Sequence, residues 1–126
     1  MKKKNILIVD DSIENQRALK EEFHKNGFDT DCVSSGEEAL EVVQAKEYNF
    51  IFLDYMLPGQ NGIQTYKTLK SLCPNTKVIL ISGYASDISI GSEEVTFVQK
   101  PFKGSKVLNI LNTCLENNHR REKVVH

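Results

Sequence analysis

The sequence predicts an α/β fold: a doubly wound, five-stranded parallel sheet built as (βα)5. Five short apolar runs, at 5–9, 28–33, 49–53, 77–81 and 95–99, alternate with amphipathic stretches. Two of them, Ile6-Leu-Ile-Val9 and Val78-Ile-Leu-Ile81, are continuously apolar and rich in β-branched residues, as strands covered on both faces require. Strict alternation then demands right-handed crossovers, which place helices on both faces of a parallel sheet.

The elements follow in order. After the first run, 12–26 reads as a helix with Leu19 and Phe23 on one face, ended by Gly27, a residue suited to the position just past a helix. After the second run, Ser35-Gly-Glu-Glu38 is a capping box that opens a helix carrying Ala39, Leu40 and Val43. After the third, 61–73 places Ile63, Tyr66 and Leu69 at helical spacing, and Pro74 ends it. After the fourth, 86–92 is a poor helix former, with Gly91 and three serines. After the fifth, Ser105 opens a last helix with Val107, Leu108, Leu111 and Leu115 on its apolar face. The reading gives one domain over 1–118 and a polar tail over 119–126.

The 126 residues suffice for one core without staples. A hydrophobic share of 40%, a charged share of 26% and a net charge of −1 are ordinary for a globular protein, and they direct the search away from nucleic acid and anionic membranes. No apolar run approaches the roughly 20 residues of a membrane helix, and the basic start is followed by too short an apolar stretch for a signal peptide. The expected location is cytoplasmic. Cys32, Cys73 and Cys114 lack metal-binding or redox spacing and read as small buried hydrophobes.

In open parallel sheets ligands bind beyond the carboxyl ends of the strands. The first strand ends in Asp10-Asp11, the third in Asp54, the fourth in Ser82-Gly83 and the fifth in Lys100-Pro101. Singly these read as a helix cap, a turn residue, a solvated charge and a strand terminator. Together they are three mutually repelling carboxylates, a hydroxyl and an ammonium at one edge. Such a cluster calls for a cation, and an all-oxygen donor set favours Mg2+ over Zn2+. Carboxylates, Mg2+, a lysine and a hydroxyl suit a phosphoryl group.

These motifs carry a resemblance. Ile6-Leu-Ile-Val-Asp-Asp11, Leu53-Asp-Tyr-Met-Leu-Pro-Gly59 with Gly62, Ile81-Ser-Gly83 and Phe97-Val-Gln-Lys-Pro-Phe102 resemble the receiver domain of bacterial two-component response regulators, over about residues 4–116. The resemblance implies the flavodoxin-like (CheY-like) strand order 2-1-3-4-5. It implies Asp54 as the phosphoacceptor; Asp11, Asp54 and the main-chain carbonyl of Met56 as Mg2+ ligands; and Asp10 as the acid that holds the ion through water. It also implies Lys100 and the Ser82 hydroxyl against the phosphoryl oxygens, a cis Lys100–Pro101 bond, and Phe97 as an aromatic switch. Phe97 reads equally well as core packing, and Tyr84 as a gate or an exposed turn residue.

The chain departs from the family in one place. Ser82 and Lys100 stand 18 positions apart (100 − 82), about one helical turn of roughly 3.6 residues short of the family's usual spacing. The fourth helix is therefore expected to be shortened, which puts in doubt the face the family uses for output. The resemblance implies a stand-alone, phosphorelay-type regulator, monomeric or weakly dimeric. It would catalyse only its own phosphorylation and dephosphorylation, and work with a sensor histidine kinase, a histidine phosphotransferase or a downstream target protein. A haloacid-dehalogenase-type phosphatase would need Asp-x-Asp after the first strand, where Asp10-Asp11-Ser12 stands. A flavodoxin would need a Ser/Thr-rich phosphate loop where Asp10 and Asp11 would repel the phosphate.

Overall fold

The computed structural model describes residues 4–55, 62–82, 96–99 and 105–114. The elements run β1 (Asn5–Val9), α1 (Ile13–Lys25), β2 (Asp29–Val33), α2 (Gly36–Ala45), β3 (Phe50–Asp54), α3 (Gly62–Leu72), β4 (Lys77–Ser82) and β5 (Thr96–Gln99). A C-terminal helix spans 105–114. All pairings are parallel, in the order β2-β1-β3-β4-β5. The expected (βα)5 sheet and its strand order are thus what forms. The segment expected to hold the shortened fourth helix, 83–94, lies outside the described residues, as does the tail 119–126.

Two apolar clusters flank the sheet because side chains alternate along each strand. β1 sends Leu7 and Val9 to one face, where Ile51, Leu53, Val78 and Leu80 meet Ala39 of α2 and Tyr66 and Leu69 of α3. It sends Ile6 and Ile8 to the other, where Phe50, Phe52, Ile79 and Ile81 meet Leu19 and Phe23 of α1 and Val107 and Leu111 of the C-terminal helix. The stretches Ile6–Val9, Phe50–Leu53 and Val78–Ile81 of β1, β3 and β4 are consequently apolar on both faces. β2, Asp-Thr-Asp-Cys-Val, lies at the sheet edge and is mostly half-buried.

Local chemistry sets the helix ends. The Ser12 hydroxyl accepts from the Asn15 N–H at 3.3 Å and caps α1. At the other end Gly27 adopts φ +87°, a left-handed conformation that costs glycine least. The Gly27 N–H donates to the His24 carbonyl at 3.2 Å and the Phe28 N–H to the Phe23 carbonyl at 3.0 Å, which pairs two of the last carbonyls. The Phe28 ring meets Phe23 edge-on at 6.2 Å and seals this turn. At α2 the expected capping box forms in part. Ser35 accepts from the Glu38 N–H at 3.1 Å, but the Glu38 carboxylate accepts from the Ser35 hydroxyl and not from its backbone amide.

The amino ends of the strands are locked separately. Asn5 and Asn49 exchange side-chain-to-backbone bonds at 2.9 and 3.0 Å, and Thr76 Oγ1 donates to the Tyr48 carbonyl at 2.7 Å. These bonds complete the β1–β3–β4 pairing at the end remote from the aspartates.

Candidate metal and phosphoryl site

Register brings the aspartates together. Val9 of β1 pairs with Leu53 of β3, so the following residues, Asp10 and Asp54, stand side by side at the carboxyl edge. Each of the three carboxylates, on Asp10, Asp11 and Asp54, offers an oxygen within 4.8 Å of the other two. Asp10 is 1% exposed and Asp54 4%, whereas Asp11 is exposed. Two buried carboxylates and one open to solvent leave room for an ion that keeps some of its water.

Asp10 is held from both sides. The Ser12 N–H donates to Oδ1 at 2.8 Å, and the Asn15 side-chain amide to Oδ2 at 3.4 Å. Because Ser12 caps α1, the capping role open to Asp10 and Asp11 on sequence grounds falls to their neighbour. Asp54 is held by its strand on both sides: β1 pairs at Leu53, and Asp54 itself pairs with Ile81 of β4. Pairing continues one residue further, where the Tyr55 N–H donates to the Ile81 carbonyl at 2.8 Å. α3 then starts directly against this segment. A β-carbon on Gly62 would come within 2.6 Å of the Tyr55 carbonyl oxygen, so only glycine allows the approach.

The donor set fits a small hard cation. Ligand oxygens about 2.1 Å from an octahedral Mg2+ lie roughly 3 to 4.2 Å from one another. The spacing of the three carboxylates is compatible with that figure, and only oxygen is on offer. Of the other predicted site residues, the Ser82 backbone ends β4 at the same edge and pairs with Gln99, and Phe97 lies within β5 opposite Leu80. The side chains of Ser82 and Phe97, and Met56, Tyr84, Lys100 and Pro101 altogether, lie outside the described residues.

Sequence reasoning missed Asn15 and Gln16. Both sit in the first turn of α1, which faces the end of β1, and their polar side chains beside an aspartate pair were the available signal. The Gln16 amide donates to the Asp10 carbonyl at 2.5 Å and reaches the Val33 carbonyl at 3.3 Å. A separate cleft of about 740 Å3, lined by Lys4, Glu47, Asn49, Leu72 and Pro74 among others, lies at the amino ends of the strands. Among the described residues the group of potential metal ligands lies at Asp10, Asp11 and Asp54 and not in this cleft, so the carboxylates take precedence over it.

Comparison with known proteins agrees with this geometry. The family description "Response regulator receiver domain" matches residues 6–112. The chain is 34% identical over 106 residues to sporulation initiation phosphotransferase F of Bacillus subtilis, covering 81% of this chain and 86% of that one. It is 30% identical to chemotaxis protein CheY of Thermotoga maritima, covering 86% and 95%. Among solved structures it is similar to a CheY-like receiver domain from Methylobacillus flagellatus, at 27% identity and TM-score 0.81, covering 89% of this chain and 98% of that one. It is also similar to TrrA of Thermotoga maritima, solved in complex with Mg2+-BeF, at 29% identity and TM-score 0.75, covering 87% and 97%. With the aspartates at the carboxyl edge of a 2-1-3-4-5 sheet, these matches establish that the chain belongs to the response regulator receiver domain family.

Proposed function

We propose that Asp54 is the residue on which this receiver domain takes up its phosphoryl group, with Asp11, Asp54 and the Met56 carbonyl holding Mg2+ and Asp10 holding it through water. The reading rests on one observation: Asp54 ends the central strand β3, buried, with the Asp10 and Asp11 carboxylates beside it. A carboxylate is a weak nucleophile, so orientation carries the reaction when the donor is a reactive phosphohistidine. An Asp54 oxygen attacks phosphorus in line; the new O–P bond forms as the P–N bond breaks, and the departing imidazole takes its proton from solvent. Bound Mg2+ supplies positive charge against the phosphoryl oxygens.

Asp54 is kept in place by strand pairing on both sides. The burial of Asp10 and Asp54 reduces competing water. Lys100 and the Ser82 hydroxyl take the remaining phosphoryl oxygens, and Phe97 responds as the switch. The domain acts in a phosphorelay with a sensor histidine kinase or a histidine phosphotransferase, or docks on a target protein, as a monomer or weak dimer. Its only catalysis is its own phosphorylation and dephosphorylation. No helix among the described residues is long and apolar enough to cross a membrane, and we place the protein in the cytoplasm.

The test is intact mass after treatment with acetyl phosphate, or a phosphorylated kinase, plus Mg2+. Wild type gains one phosphoryl group and Asp54→Asn gains none. Equal labelling of the two proteins refutes the assignment.

A further inference from the structure

We propose that Gln16 is a positioning residue for the cation site: its side-chain amide clamps the carboxyl ends of β1 and β2 and so sets the peptide that carries Asp11. The inference rests on the cation site proposed above. It starts from an asymmetry between the paired aspartates. Asp10 is buried and its carboxylate is held directly, by the Ser12 N–H and the Asn15 amide. Asp11 is exposed, so its direction depends chiefly on the backbone beneath it.

That backbone leaves the sheet at this point. The last β1–β2 register pair is Val9 with Val33, and one further bond joins the Asp10 N–H to the Val33 carbonyl at 3.1 Å. Here Gln16 reaches in from α1, donating to the Asp10 carbonyl at 2.5 Å while the same nitrogen reaches the Val33 carbonyl at 3.3 Å and Ser34 Oγ at 3.4 Å. Gln16 is itself anchored, because its N–H donates to the Ser12 carbonyl at 3.0 Å in the first turn of α1.

The Asp10 carbonyl and the Asp11 N–H belong to one planar peptide unit. Holding the carbonyl fixes the plane, and the plane fixes where the Asp11 side chain starts. A ligand displaced by even 1 Å binds its ion markedly less well, which is why partners behind a ligand matter. α1, β1 and β2 are thereby joined at one side chain directly behind the exposed carboxylate.

Gln16→Met tests this, because methionine keeps the length and the neutral charge and removes both N–H donors. Mg2+ is titrated into the unphosphorylated full chain and followed by backbone NMR. Thr76→Val, which loses the bond to the Tyr48 carbonyl at the far end of the sheet, serves as the destabilised control. Gln16→Met should raise the Mg2+ Kd about tenfold, the low end of what losing such a partner costs. Thr76→Val should stay within twofold of wild type despite melting earlier. Gln16→Met within twofold of wild type overturns the proposal, as does an equal weakening in the control. Should Gln16→Met not fold, wild type still decides. Its Gln16 side-chain amide protons should exchange slowly and shift with the same Mg2+ midpoint as the Asp11 N–H; a fast-exchanging, unresponsive amide overturns the proposal. A wild type without a saturable Mg2+ shift overturns the cation site itself and this inference with it.

Discussion

Gly62 lies against Tyr55 so closely that a β-carbon would stand 2.6 Å from the Tyr55 carbonyl oxygen and 2.8 Å from its ring. Tyr55 directly follows Asp54, so this contact sets how the chain leaves the proposed phosphoacceptor and where α3 begins. Two effects compete on substitution by alanine. Helix propensity favours alanine over glycine by about 1 kcal/mol at most. Overpacking against a backbone oxygen costs about 1–3 kcal/mol, and Tyr55, whose N–H is bonded to the Ile81 carbonyl of β4, has little room to yield. We expect Gly62→Ala to lose stability on balance and to take up phosphate from acetyl phosphate more slowly. Urea unfolding and a phosphorylation time course check the two halves; a variant as stable and as reactive as wild type would show the contact to be slack.

Removing one of three clustered carboxylates relieves repulsion and removes a ligand together. Asp11→Ala should therefore melt no lower than wild type without metal, yet gain nothing from Mg2+. For wild type, a Mg2+ concentration 100-fold above Kd corresponds to about 2.7 kcal/mol of added stability. Thermal melts with and without Mg2+ measure both. An Asp11→Ala protein stabilised by Mg2+ as much as wild type would remove Asp11 from the ligand set.

On the edge strand β2, Asp31 accepts from Lys46 Nζ at 2.8 Å and from the Tyr48 hydroxyl at 2.6 Å. These hydrogen bonds, Lys46 first and Tyr48 second, hold the Asp31 carboxyl below its ordinary range. A depressed carboxylate pKa stabilises the fold above the unfolded-chain value of about 3.9, and that stability is lost as pH falls through the lower folded value. Asp31 is 44% exposed, so screening keeps the gain below about 1 kcal/mol. Asp31→Asn should thus be slightly less stable than wild type at pH 7, with the gap closing below about pH 4. Urea midpoints from pH 7 to pH 2.5 would show it. A gap that persists unchanged into acid would assign the loss to packing.

Much of this protein was legible in its sequence. Strand and helix positions follow from periodicity, since burial on two faces demands the continuous apolar runs of β1 and β4 and burial on one face demands the spacing of Leu19 and Phe23. Parallel alternation then fixed which ends of the strands carry chemistry, and Asp10, Asp11 and Asp54 could be named from that alone. Tertiary structure decided what distinguishes neighbours. Asp10 is buried and Asp11 exposed, although they are identical side chains one residue apart, and α1 docks on β1 and β2 with its first turn bonded to the Asp10 carboxylate. That docking also turns Asn15 and Gln16 toward the strand ends and assigns the helix cap to Ser12. Burial periodicity is a local property that a sequence records residue by residue; the register between strands and the rotation of a helix about its axis are set by contacts between distant segments.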